Sequence, residues 1–503
     1  MPAGLIHRGG ARGRPLKTLK NAFWLSSGRV LADLSSVVFF TVLSRALGPA
    51  GVGEYSYGFA FGNLIGLAAC SGYEEYGIRE LACAEPARAR QAWQRILSAQ
   101  SMQIVLALVL LGAATLLAGG APGREQVMIE LGIFFIGWLS ARTAFMPSMA
   151  HQAMRIPAMT ELACRTSAVL VAIALALFAT TSLPIILMGF PLAGITMTGL
   201  ALRNAVRQGF PLHIDPSWHA LKETLRGTAA FAITDVLGIF YSRIDVLIIV
   251  WWLGTAAAGL YALGIKLVEV GLLPLFFSGA AAYPLVSRLA AARSPRFERA
   301  ARDLMQLVLL LSGWLALGIA TLVPLIVTAV FGARFAPAVP LLGWFALLAL
   351  VKGIEVPLYR LLYCVRRQSW YARSIAVGTV VIAALNCALI PLAGLRGAVL
   401  AAILSTLLVD GACVYGLRRE LHPRTVAIVL LRFALALGIS WAAGVAVHAL
   451  GGAPWMRGLA VCGLFPLAAW ISGLIPELRN SPLVARREGE GLSGLAGTLG
   501  SRD

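Results

Sequence analysis

The sequence predicts an all-α, multi-span membrane protein of about fourteen transmembrane helices, arranged as two six-helix lobes related by a parallel pseudo-two-fold plus two extra C-terminal helices. Three observations predict it. The 503 residues are 59% hydrophobic and only 13% charged, with a mean hydropathy of +0.80. Apolar windows long enough to cross the ~30 Å hydrocarbon layer recur along nearly the whole chain. The 42 Lys and Arg residues, which dominate a net charge of +19, gather in every second connection between those windows. That is the positive-inside pattern, not the contiguous basic groove of a nucleic-acid-binding protein.

Residues 1–19 carry Arg8, Arg12, Arg14 and Lys17 and read as a cytoplasmic lead-in. The apolar run that follows is too long for a signal-peptide core and has no small-residue cleavage site. The first lobe, 20–204, holds spans at 20–44, 52–73, 96–118, 127–149, 161–179 and 184–204. Only Thr180-Thr181-Ser182-Leu183-Pro184 parts the last two, so one broken helix is an alternative there. A polar connection, 205–225, leads to the second lobe, 226–416, with spans at 226–252, 258–284, 304–324, 338–362, 371–391 and 395–416. Helices thirteen and fourteen fill 428–475, and the Gly-, Ser- and Arg-rich stretch 476–503 reads as a disordered cytoplasmic tail. Pro274 and Pro357 lie inside spans and each removes a backbone hydrogen bond, which predicts kinks, either as hinges or as static bends.

Basic clusters in 74–95 (Arg79, Arg88, Arg90, Arg95) and 285–303 (Arg288, Arg293, Arg296, Arg299, Arg302), with Arg366, Arg367, Arg373, Arg418, Arg419 and Arg424, mark the inner side. The opposite connections carry single residues: Arg45, Arg124, Arg334, Arg396 and Arg457. An even span count then places both termini in the cytoplasm.

The segment Leu47-Gly48-Pro49-Ala50-Gly51-Val52-Gly53-Glu54-Tyr55 recurs as Leu253-Gly254-Thr255-Ala256-Ala257-Ala258-Gly259-Leu260-Tyr261, with five of nine positions matching at an offset of 206. Each copy joins two spans, and six spans separate the copies. Direction is therefore preserved, as in transporters whose parallel repeats enclose a central cavity and rock about it. Chance matching in a Gly- and Ala-rich chain is the alternative.

Thirteen charged residues fall inside these spans: Arg29, Asp33, Arg142, Glu161, Arg165, Asp235, Arg243, Asp245, Lys266, Glu269, Lys352, Glu355 and Asp410. Ionised groups at membrane depth are costly and face a polar interior or mark an ion or substrate route. Arg29/Asp33 and Glu161/Arg165 are spaced i,i+4, and Lys266/Glu269 and Lys352/Glu355 i,i+3, so each pair can neutralise itself on one helix face. Arg142 has no acidic neighbour on its helix, and Arg243 and Asp245 do not face one another, so these look elsewhere for partners. Arg offers phosphate a fixed fork of donors, and a buried carboxylate can take a proton or sodium ion. Arg29, Arg142, Arg243, Lys266 and Lys352 are thus the candidate substrate contacts; Asp33, Asp235, Asp245 and Glu269 are the candidates for ion coupling.

The seven cysteines form no CxxC pair and read as small buried side chains, so no metal or disulfide role is expected. The six histidines lie at or beyond span ends, and no connection could carry the reactive groups of a membrane polymerase or ligase. A transporter rather than an enzyme is expected. The rivals are a drug or small-cation antiporter, which would favour an acidic, aromatic cavity, and a glycan polymerase or ligase. The six basic and seven acidic residues at depth do not by their count decide for or against the antiporter.

Particular stretches carry a family resemblance: Leu43-Ser44-Arg45-Ala46-Leu47-Gly48-Pro49 with Gly53 and Tyr55; Tyr76-Gly77-Ile78-Arg79-Glu80; Arg243-Ile244-Asp245 before Leu253-Gly254; Gly259-Leu260-Tyr261 with Lys266 and Glu269; and Tyr283-Pro284 with Ser287-Arg288-Leu289. Over about residues 20–475 the chain resembles the multidrug/oligosaccharidyl-lipid/polysaccharide (MOP) flippase superfamily, in its bacterial polysaccharide-export, O-antigen flippase-like branch. The resemblance implies a V-shaped pair of lobes around a cationic cavity. It implies transfer of an undecaprenyl-pyrophosphate-linked oligosaccharide to the outer leaflet of the bacterial cytoplasmic membrane, for lipopolysaccharide or other surface polysaccharide synthesis. It implies a proton or sodium gradient as drive, with no other cofactor. Arg29, Arg243 and Lys266 fall by position in cavity-lining helices one, seven and eight. Glycan polymerases and glycosyltransferases are the implied partners, and a monomer is expected. The strongly basic cavity and N-terminal motifs of lipid II flippases are missing, which makes a cell-wall precursor the less expected cargo.

Overall fold

The computed structural model describes residues 14–70, 72–117, 123–178, 182–214 and 217–475, with side chains from residue 31 onward apart from Asp33, Cys83, Leu117, His219, Ala220 and Ala230. Among the described residues the chain is helical, without strand. Two compact units divide it. The first comprises residues up to Lys266 together with Val327–Ala338 and Thr379–Ala398. It holds α1 (Arg14–Cys70), α2 (Tyr73–Cys83), α3 (Pro86–Leu117), α4 (Arg124–Ala144), the short α5 (Met146–Ala150), α6 (Arg155–Phe178), the short α7 (Leu183–Leu187), α8 (Gly189–Arg207) and the larger part of α9 (Trp218–Ala291). The second unit takes the rest of α9, α10 (Arg296–Thr321), the start of α11 (Val323–Phe331), α12 (Leu342–Cys364), both ends of α13 (Gln368–Leu417), α14 (Pro423–Ala449) and α15 (Pro454–Ile471).

Among the described residues, eleven helical runs are long and apolar enough to cross a membrane. Three, in α1, α9 and α13, are far longer than the roughly 20 residues a crossing needs. Each is two helices meeting at a glycine that leaves helical geometry: Gly48 (φ 71°, ψ −168°), Gly254 (φ 82°, ψ 176°) and Gly394 (φ 58°, ψ −137°). Counting both halves gives fourteen spans. The first two glycines occupy a region of backbone space that essentially only glycine enters, and they are equivalent positions of the 206-residue repeat. The fifth and sixth spans are distinct helices, since α6 and α8 pack side by side, which one continuous helix cannot do.

Apolar residues face outward as well as inward. Val105, Val109 and Leu116 on α3 and Leu431 and Leu435 on α14 are exposed, as lipid-facing positions require. Small residues then set the contacts between helices. Gly58, Gly62 and Gly66 form an i,i+4,i+8 row on α1 that seats Val127, Leu131 and Phe135, the matching row on α4. A Cβ at Gly62 would lie 2.8 Å from the Leu131 carbonyl oxygen. In the second unit Gly353 on α12 makes room for Ser312 on α10, whose hydroxyl donates to the Ala349 carbonyl at 3.3 Å. Trp314 on α10 donates to the Cys462 carbonyl of α15 at 2.9 Å. The segment 74–95, expected as an inner connection, is largely helix: α2 starts directly after Gly72, and α3 begins at Pro86.

Candidate functional site

Gly72, at φ 68°, turns the chain out of α1 and into α2, whose first turn carries Glu74 and Glu75. Arg142, in the last turn of α4, pairs with Glu74 at 2.6 Å. Asp235 of α9 accepts from the Gly72 backbone N–H at 3.0 Å. Glu161 of α6 accepts from Trp138 Nε1 at 3.1 Å and from Arg165 at 3.3 Å, while the Arg165 guanidinium lies 5.2 Å from the Trp138 ring centre. Behind them the buried Gln100 amide donates to Cys70 Sγ at 2.9 Å. Glu74 interacts electrostatically with Glu75, Glu161 and Asp235 as well as with Arg142. This cluster of the first unit is richer in carboxylates than in guanidinium groups.

Nearer the glycine breaks, the Arg243 guanidinium lies 5.3 Å from the centre of the Phe59 ring. Asp245 is 5% exposed and accepts from the Tyr261 hydroxyl and, at 2.8 Å, from the Val246 N–H. Lys266 donates to Ser36 Oγ at 2.9 Å. Subtracting the repeat offset turns Asp245 and Tyr261 into Phe39 and Tyr55, and those rings also meet, edge to face at 5.4 Å. The two copies touch reciprocally: a Cβ on Gly53 would overlap the Thr255 carbonyl oxygen, and one on Gly259 would overlap the Pro49 carbonyl oxygen.

Among the expected site residues, Arg142, Arg243, Lys266, Asp235 and Asp245 belong to the first unit. Glu269, half-buried, and Lys352 belong to the second. Lys352 lies 3.9 Å from Glu355, which also accepts from the Tyr371 hydroxyl at 2.9 Å. The side chains of Arg29 and Asp33 lie outside the described residues. Arg142 does find its counter-charge on another helix; Asp235 is engaged by backbone, Asp245 by a tyrosine and Arg243 by a ring. Two participants escape sequence reasoning. Glu74 falls beyond the apolar window that Gly72 ends, and Tyr261 stands out as a repeat match and in the Gly259-Leu260-Tyr261 stretch, neither of which points to Asp245. Among the described residues, no group of three or more His, Cys, Asp or Glu is placed to hold a metal ion.

The family model described as "Polysaccharide biosynthesis protein" matches residues 18–290, more than half of the chain. The chain belongs to that family. No curated protein matches this polysaccharide biosynthesis protein. Among solved structures, lipid II flippase MurJ in an inward closed conformation aligns with a TM-score of 0.72 and 12% identity over 90% of this chain and 98% of that one. An inward-facing multidrug resistance MATE family transporter of the MOP superfamily aligns with a TM-score of 0.59 and 12% identity over 77% of this chain and 94% of that one. At that identity the likeness establishes the fold. This member of the polysaccharide biosynthesis family is a multi-pass membrane protein with the architecture of MOP-superfamily transporters.

Proposed function

We propose that this protein moves a lipid-linked oligosaccharide, joined to its lipid through pyrophosphate, from the inner to the outer leaflet of the bacterial cytoplasmic membrane during surface polysaccharide synthesis. The single observation that carries the reading is a transporter architecture, aligned over nine-tenths of the chain, in a member of a polysaccharide biosynthesis family. The cations at membrane depth supply the chemistry. Arg142, Arg243 and Lys266 touch a carboxylate, a ring and a hydroxyl, and each carries donors suited to a pyrophosphate. Arg29 and Lys352 complete the proposed contact set. Two lobes at 20–204 and 226–416, both termini in the cytoplasm, a monomeric protein beside glycosyltransferases and a polymerase, and a proton or sodium gradient as drive belong to the same reading.

The test is reconstitution of the full chain in liposomes with a lipid-linked glycan. Glycan should reach the opposite leaflet faster under an imposed proton or sodium gradient, and the double change Arg142→Ala with Arg243→Ala should abolish that movement. Movement equal to that in protein-free liposomes rejects the proposal. A second reading, export of a cationic drug, is favoured by one observation: Glu74, Glu75, Glu161 and Asp235 outnumber Arg142 and Arg165 in the first-unit cluster. Gradient-driven efflux of an organic cation, with no glycan movement, would establish it.

A further inference from the structure

Within the second unit, α12 and both halves of α13 bring together four polar side chains. Trp370 donates to the Ala412 carbonyl at 2.7 Å, which holds the start of α13 against its end. Tyr371, next to Trp370, donates to Glu355 on α12, and Lys352 lies one helical turn before Glu355. Asp410, on the far half of α13, interacts electrostatically with both Glu355 and Lys352. It is 5% exposed, and neither of its carboxylate oxygens has a hydrogen-bond partner. Its own helix offers no relief, because the neighbouring Ser405 and Thr406 hydroxyls donate to the Gly378 and Ala402 carbonyls.

An ionised carboxylate stripped of water and of hydrogen bonds is strongly disfavoured. A second carboxylate nearby adds to that cost for Asp410. The two acids are not equivalent. Glu355 has a tyrosine hydroxyl and an ammonium to support its charge; Asp410 has neither within hydrogen-bonding distance. The titratable groups around Asp410 are Lys352, Glu355, Tyr371 and, on its own helix, Cys413. With Lys352 and Glu355 cancelling each other, one proton on Asp410 makes the cluster neutral.

We infer that Asp410 is a proton-binding site in the second unit, with Glu355, Lys352 and Tyr371 holding the countercharge that lets it load and release one proton during the transport cycle. The inference rests on the proposed gradient-driven reading and names its ion and its residue. The step makes and breaks a single O–H bond: water donates the proton to Asp410 when the cluster is wetted, and the carboxylic acid returns it to water on release. Asp410 is then a coupling group rather than a cargo contact, distinct from the carboxylates Asp33, Asp235, Asp245 and Glu269.

The experiment is acid-minus-alkaline difference infrared spectroscopy on the full chain in liposomes. The wild type should show a protonated-carboxyl carbonyl band that is lost in Asp410→Asn and shifted in Glu355→Gln. A spectrum unchanged by Asp410→Asn overturns the inference. Should Asp410→Asn not accumulate, an unshifted band in Glu355→Gln overturns it equally. Loss of the band on adding sodium at fixed pH would assign the site to sodium and overturn the proton assignment. In the glycan assay, stimulation by a proton gradient should disappear in Asp410→Asn. An Asp410 band in a protein that moves no glycan would leave the proton site standing and reject the flippase reading, so the two failures are distinguishable.

Discussion

Buried acids of the first unit and one acid of the second are held in opposite ways. In the first, Glu74 has Arg142, Glu161 has Trp138 and Arg165, Asp235 has the Gly72 N–H and Asp245 has Tyr261. In the second, Asp410 is as buried as Asp245, yet its carboxylate has no hydrogen bond. Equal burial with unequal satisfaction separates structure from chemistry. A satisfied acid is part of the scaffold, and its loss weakens the fold. A bare acid costs the fold something and persists where a change of its charge is useful.

Removing partners should break that contrast in a graded order. Glu74→Ala should have the largest effect, because it strands Arg142. A fully buried ion pair broken on one side loses ~3–5 kcal/mol. The Arg142 side chain is 40% exposed, so we expect about 2 kcal/mol after allowing for solvent screening, read as a lowered unfolding midpoint in detergent. The pair change Glu74→Gln with Arg142→Gln should recover part of it. An undiminished midpoint in Glu74→Ala would mean that the pair does not hold α2 to α4.

Tyr261→Phe comes next. It deletes the hydroxyl that supports Asp245 and should cost about 1.5–2 kcal/mol, the lower part of the range for a hydrogen bond to a charged group. Asp245→Asn in the Tyr261→Phe background should then cost less than it does alone, and strict additivity of the two changes would show that they are not coupled. Ser36→Ala, which removes the hydroxyl facing Lys266, should cost under about 1 kcal/mol. Its sharper readout is glycan transport, which should stay intact because Lys266 keeps its charge. Asp410→Asn closes the series with stability unchanged or raised by up to about 1 kcal/mol, because no hydrogen bond is lost and the burden of a buried charge is lifted. A drop comparable to that of Glu74→Ala would erase the distinction between the hydrogen-bonded acids and Asp410.

Much of the fold was legible because apolar run length is itself the physical requirement for crossing a bilayer. Glycine breaks were legible where a repeat drew attention to them, at Gly48 and Gly254; Gly394 has no matching copy and showed only as the gap between two spans. The site was legible in part. Charged residues at depth stand out in any sequence, so Arg142, Asp235, Arg243, Asp245, Lys266 and Lys352 could be named. Their partners could not, because Arg142 and Glu74, or Asp235 and Gly72, are joined only by helix packing. Glu74 was missed for a local reason: two acids after Gly72 look like the start of a polar loop, yet α2 carries them back against α4. That Asp410 is bare is a property of what surrounds it in space, and no spacing along the chain encodes it.

The glycine joints also govern how this protein can be handled. At Gly48, Gly254 and Gly394 a single residue outside helical geometry links two spans, so there is no slack chain for a protease to grip or an epitope tag to occupy. Insertions there would have to unwind helix on both sides. Between α8 and α9, the exposed residues Leu212, His213 and Ile214 are the place where a fluorophore, a cleavage site or a purification handle can be accommodated.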